Sequence, residues 1–98
     1  MPFPIRVRPQ VEAEIQEAMA WYGERAPGLD RAFQQAVFDA LVRLCESPEL
    51  YRMIRGDVRR VVLRRFPYAL FYLFDGTEVV VLACIHERRS PEQWPGSV

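Results

Sequence analysis

The stretch YALFYLFDGTEVVVLACIH, residues 68–86, constrains the fold more than any other part of the chain. Two apolar runs rich in β-branched and aromatic residues flank Asp75–Gly76. Such a pair between strand-like runs favours a hairpin, because glycine accepts a positive φ in a tight turn. The pattern predicts strands over residues 68–74 and 77–86. The middle of the second run is continuously apolar, which predicts a central strand covered on both faces. Tyr68 and Tyr72 share one parity and Ala69, Phe71 and Leu73 the other, so only one set can face a given layer. Upstream, DVRRVVLRRF reads as a further strand. Its Arg59, Val61, Leu63 and Arg65 form one parity, and Val58, Arg60, Val62 and Arg64 form a half-exposed second one. Residues 49–56, ELYRMIRG, read as loop, with room for a short turn of helix or strand.

The first half follows other periods. FPIRVR, residues 3–8, alternates in steps of two and predicts a short strand, which Pro4 restricts to an edge or to a place that needs no N–H there. From Pro9 the apolar residues Val11, Ile15, Ala18, Met19 and Tyr22 fall on one helical face. RAPG at residues 25–28 breaks that helix, since Pro27 disfavours the helical region for Ala26. Phe33, Ala36, Val37, Ala40, Leu41 and Leu44 give a second helix from about Leu29 to Cys45 or Glu46, closed by Ser47–Pro48. The expected fold is α+β in the order β-α-α-β-β-β, a helical hairpin packed on one face of a mainly antiparallel four-stranded sheet. The first strand is free to join a later one in parallel.

With 98 residues the chain is one domain, residues 1–98, and can bury roughly 60–65% of its unfolded surface. No apolar run approaches the ~20 residues of a membrane span. MPFPIRVRPQ has no signal-peptide pattern, so the cytoplasm and no membrane partner are expected. Cys45 and Cys84 lack CxxC spacing and sit in apolar runs, which predicts buried free thiols. One histidine and no cysteine cluster predict no metal site, and no cofactor motif is present. The net charge is zero, yet residues 1–50 carry −3 and residues 51–98 carry +3. All thirteen basic residues are arginine, a planar bidentate donor that cannot serve as a base at neutral pH.

Few residues offer chemistry. Ser47, Ser90 and Ser97 stand in no nucleophile-like context. Cys84 and His86 share a strand face at i, i+2, but thiolate catalysis needs an accessible, electropositive cysteine. His86 can act as acid or base near neutral pH. Arg59, Arg60, Arg64, Arg65, Arg88 and Arg89 cluster in the second half, where a hairpin could bring Arg64–Arg65 and Arg88–Arg89 together near His86. Arginines on paired strands could hold phosphates or carboxylates, or simply keep strand ends solvated.

The element order, VRRVVLRRFPYALFY and the closing IHERRSPEQW together resemble the RelE/ParE superfamily of bacterial type II toxin–antitoxin toxins, over essentially the whole chain. The resemblance implies a small toxin of a plasmid-stabilisation-like system, held inactive by a cognate antitoxin. It leaves three readings open. ParE-like members inhibit DNA gyrase, which FPY and RRSPEQW favour here. RelE-like members enter the ribosome and cleave mRNA. A third reading is a decayed member without toxicity. The cleavage constellation is incomplete in this sequence: Ala69 follows Tyr68 where an arginine would stand, Val62 separates Arg60 from Arg64, and Trp94 occupies the place of a C-terminal tyrosine. If the chain is a nuclease, its candidates are Arg60, Arg64, His86, Arg88 and Arg89. If it docks on a target or antitoxin, the candidates are Arg59, Arg60, Arg64, Arg65, Tyr68, His86, Arg88, Arg89 and Trp94. A homodimer is also compatible, because such sheets leave apolar surface for the antitoxin.

Overall fold

A computed structural model describes residues 2–89 and 91–95; Ser90 and Ser97 lie outside the described residues. The elements run β1 (Ile5–Val7), α1 (Pro9–Arg25), α2 (Leu29–Glu46), β2 (Met53–Arg55), β3 (Val58–Val62), β4 (Tyr68–Phe74) and β5 (Val79–His86), then a 3-10 turn at Pro91–Gln93. The sheet order is β1-β5-β4-β3-β2. β1 pairs in parallel with β5, and the other pairings are antiparallel.

The sheet thus has five strands where four were expected, the addition being β2. Gly56 takes φ 56 and, with Asp57, turns the chain so that Arg55 pairs with Val58 and Met53 with Arg59. A Gly-Asp pair between strand-like runs is itself a hairpin signal.

The two helices cover one face of the sheet. Pro9 opens α1, where its missing N–H costs nothing. Ala26 is extended ahead of Pro27 and its N–H donates to Tyr22 O at 3.2 Å. Gly28, at φ 87, admits the turn into α2. Val11 and Ala18 of α1, with Phe33, Val37, Ala40 and Leu44 of α2, pack on Val61, Leu70, Tyr72, Val79 and Val81. Each fully buried side chain of this size is worth about 1.5–3 kcal/mol, so this layer dominates stability. At one end Phe33 meets Phe66 and Tyr68 edge-on at 5.2 and 5.0 Å. Both cysteines are free and buried.

Side-chain alternation in β3 and β4 follows the sequence pattern. Val61, Tyr68, Leu70 and Tyr72 face the helices, and Val58, Ala69 and Phe71 face the opposite way. β5 departs from it. Phe71 pairs with Ala83 but Tyr72 pairs with Val81, so Leu82 is an extra residue in the ladder, a β-bulge. Before the bulge Val79 and Val81 face the helices; after it Cys84 does, while Leu82, Ala83 and Ile85 face the other layer. A regular strand would group Ala83 and Ile85 with Val81. The bulge therefore turns Cys84 and His86 towards the helices.

The outer face is covered by the C-terminal segment. Trp94 packs on Phe71 with ring centroids 5.5 Å apart, and the Arg60 guanidinium lies 5.1 Å from the Trp94 centroid. Arg55 donates to the carbonyls of Trp94, at 3.0 Å, and of Pro91. On the helix side, the Tyr72 hydroxyl donates to Pro48 O at 2.7 Å, and Arg59 donates to Glu49 O and Tyr51 O at 3.2 and 2.7 Å. These bonds pin the link from α2 to β2.

The hairpin at Asp75–Gly76 is present, with Gly76 at φ 95, but the turn spans four residues. Asp75 Oδ1 accepts from the Thr77 N–H, the Thr77 hydroxyl and the Glu78 N–H at 2.8, 2.8 and 2.9 Å. That capture holds Thr77 and Glu78 in the turn, and β5 starts at Val79 rather than Thr77.

Candidate docking surface

The site grows from the paired ends of β4 and β5. Tyr68 and His86 are opposite each other in the ladder. Phe66–Pro67 forms a corner in which the Tyr68 N–H donates to Phe66 O at 2.8 Å, and the Glu87 N–H donates to Pro67 O at 2.8 Å. The chain then turns, with the Arg89 N–H on His86 O at 3.0 Å and the Arg88 N–H on His86 Nδ1 at 3.0 Å. The imidazole is thereby fixed with Nδ1 as acceptor and its ring edge-on to Tyr68.

Facing these strand ends is a polar stripe of α1. Glu14, Glu17, Trp21 and Glu24 recur in steps of three and four residues, which places them on one side of the helix. With Tyr68, Cys84, His86 and Arg89 they line a cleft of about 510 Å³. Glu14 Oε1 accepts the Cys84 N–H at 3.0 Å, so helix and strand are bonded across its floor. Burial, and secondarily the Glu14 carboxylate, push the Cys84 thiol up to about 12. A thiol held that way is no nucleophile at neutral pH. The Tyr68 phenol is raised by burial first, then by Tyr22 and Cys84, against a lowering pull from Arg89. Sequence reasoning missed the carboxylates because it followed only the apolar stripe; the 14-17-21-24 spacing was the available signal.

The arginines do not form one set. Arg64 and Arg65 sit in the turn before β4, Arg88 and Arg89 in the turn after β5, and the Glu87–Pro67 bond holds these turns side by side at one end of the sheet. Arg64 and Arg65 are exposed, and Arg65 has φ 72, a left-handed conformation that an ordinary side chain adopts at a cost of about 1–2 kcal/mol. Arg59 is committed to the backbone of residues 49–51. Arg60 and Trp94 lie on the outer face, with the sheet between them and His86. The structure therefore gathers Tyr68, His86 and Arg89 at the cleft, sets Arg64, Arg65 and Arg88 beside it, and does not bring Arg60 or Trp94 to His86. Arg55, which anchors the C-terminal segment, had no sequence signal beyond its charge.

Among the described residues, no three His, Cys, Asp or Glu side chains are placed to hold a metal ion, and no helix is long and apolar enough to cross a membrane.

Two helices on one face of an open five-stranded mixed sheet, with arginines in the turns at one end, make this a small α+β domain. Residues 5–91 match the family model described as ParE toxin of type II toxin–antitoxin system, parDE. The chain belongs to that family and is a type II toxin–antitoxin toxin. It is also similar to Toxin ParE2 of Mycobacterium tuberculosis, in two strains, with 27% identity over 88 residues that cover 89% of this chain and 84% of the relative.

Proposed function

We propose that this toxin acts by binding a protein target, with DNA gyrase as that target, and that a cognate antitoxin neutralises it in the cytoplasm as part of a plasmid-stabilisation-like system. The observation that carries the reading is the electrostatics around the one histidine. Ribonuclease chemistry on a phosphodiester needs cations converging on the phosphate and a group to move the proton. His86 instead opens on a cleft lined by Glu14, Glu17 and Glu24, and Arg60 projects from the opposite side of the sheet. Carboxylates repel a phosphate, so this histidine is poorly placed for RNA cleavage. The exposed arginines at the strand ends suit docking, where guanidinium groups meet carboxylates of a partner. The ParE family membership supports gyrase by analogy, since fold alone does not fix a target.

A supercoiling assay with purified gyrase tests this directly. Inhibition that is relieved by the antitoxin is the expected result. Unchanged supercoiling together with mRNA cleavage in a translating extract would replace the reading with that of a ribosome-dependent nuclease. Normal growth on induced expression would indicate a member without toxicity.

A further inference from the structure

We infer that the cleft between α1 and the ends of β4 and β5 is a seat for an arginine side chain of a partner polypeptide, an inference that rests on the protein-binding reading only for the partner's being a protein.

The charge of the cleft selects a cation. Glu14, Glu17 and Glu24 line it against the single guanidinium of Arg89. Among the described residues, the ion pairs within 4.0 Å are Arg6–Glu78 and Arg25–Glu24, the latter at 3.9 Å, so Glu14 and Glu17 have no cation. Glu14 spends one oxygen on the Cys84 N–H and keeps the other. The Cys84 thiol at the floor is 4% exposed and has no hydrogen-bond partner among the described residues.

The walls select a planar cation. Tyr22, Tyr68 and Trp21 line the same cleft, and Trp21 is 49% exposed at its mouth. Trp21 already shows what it takes: the Arg25 guanidinium carbon lies 3.4 Å from its ring centroid. A guanidinium both stacks on aromatic faces and pairs carboxylates in a bidentate way, which an ammonium does not. The stripe from Glu14 to Glu24 is roughly 15 Å long at 1.5 Å per residue, room for about four or five residues of extended chain around one anchored side chain. The same carboxylates disfavour an anionic occupant such as a nucleic-acid phosphate.

The test uses the purified full chain and two capped tripeptides, Ac-Ala-Arg-Ala-NH2 and its citrulline twin, which keeps the shape of the arginine and loses its charge. In an NMR titration the arginine peptide should give saturable shifts at the Trp21 indole N–H and at the amides of Glu17 and His86, weakened by salt. The citrulline peptide should bind about tenfold more weakly, the loss expected for a charge-assisted pair. Glu17→Gln, on an exposed side chain, should reduce arginine-peptide affinity about fivefold without altering the melting temperature. Equal binding of both peptides, shifts that never saturate, or full affinity in both Glu17→Gln and Glu14→Gln would overturn the seat. The readout needs no toxicity: a chain that binds the arginine peptide but spares gyrase loses the functional reading and keeps the seat, and the reverse result loses the seat alone.

Discussion

Tyr68 and His86 face each other across β4 and β5 with ring centroids 5.1 Å apart and planes at 74°, and both turn towards α1 rather than towards the outer face that carries Arg60 and Trp94. If this pair positions a docking surface and performs no proton transfer, His86→Gln should leave growth arrest on induction within about threefold of the parent, well short of the 10²–10⁴-fold loss expected for a general acid or base. Loss of arrest together with loss of mRNA cleavage in a translating extract would mark His86 as a catalytic group.

Arg65 tests docking against strain. Its left-handed φ of 72 is the conformation glycine takes freely, so Arg65→Gly should hold or raise stability by up to about 1 kcal/mol in urea unfolding. The same variant should weaken target inhibition several-fold if the guanidinium docks. A variant that is more stable and equally inhibitory would assign Arg65 to solubility alone.

Asp75 ties the β4–β5 turn to acid sensitivity. Backbone hydrogen bonds from Glu78 and then Thr77 hold its carboxyl down to about 2, against an ordinary 3.8. A depressed folded value stabilises above the unfolded value and is lost as pH falls, so its contribution should fade between about pH 4 and pH 2. Asp75→Asn keeps the accepting oxygen and should flatten that part of the stability profile, whereas Asp75→Ala should lower the melting temperature at neutral pH.

Cys84 makes the opposite prediction at high pH. Its thiol is raised from 9.0 to about 12, mainly by burial. A raised folded value gives stability that is full below the unfolded value and falls as pH rises through the window from about 9 to about 12. Under reducing conditions unfolding free energy should decline there with a limiting slope of about 1.4 kcal/mol per pH unit for this group. Cys84→Ala should remove its share of that slope, leaving the part owed to Tyr72, Tyr68, Tyr22 and Cys45, which burial also raises.

Arg55 holds the C-terminal segment by two backbone carbonyls, so Arg55→Ala should release Trp94 from Phe71. In a Trp21→Phe background, Trp94 emission should shift to the red and amide exchange should quicken in β4 and β5 on the outer face. Unchanged emission would show that Trp94 is held by its stacking alone.

Most of the fold was legible because its signals are local. The DG turn, the Pro27 and Pro48 breaks and the two helical stripes each follow from backbone sterics or from a repeat within one element. β2 escaped because three residues carry no readable period, although Gly56–Asp57 marked its turn. The site was harder to read. Arg59 and Arg60 look alike in sequence, yet one is committed to loop carbonyls and the other stacks on Trp94, and only the pairing of distant segments distinguishes them. The carboxylate wall opposite His86 likewise depends on a contact between residues seventy positions apart, which no single-element period records.

The extra residue at Leu82 makes the end of the sheet sensitive to pairing register in a way composition does not reveal. Removing Leu82 would leave a regular strand with Cys84 and His86 still facing the helices, whereas the same residues paired without a bulge would put Ile85 into the cleft and His86 under the C-terminal segment. Among relatives of this chain, then, whether this strand bulges is as informative as the identity of its residues: a strand of the same length that ran straight through would present an oily wall to its partners and hide its only imidazole.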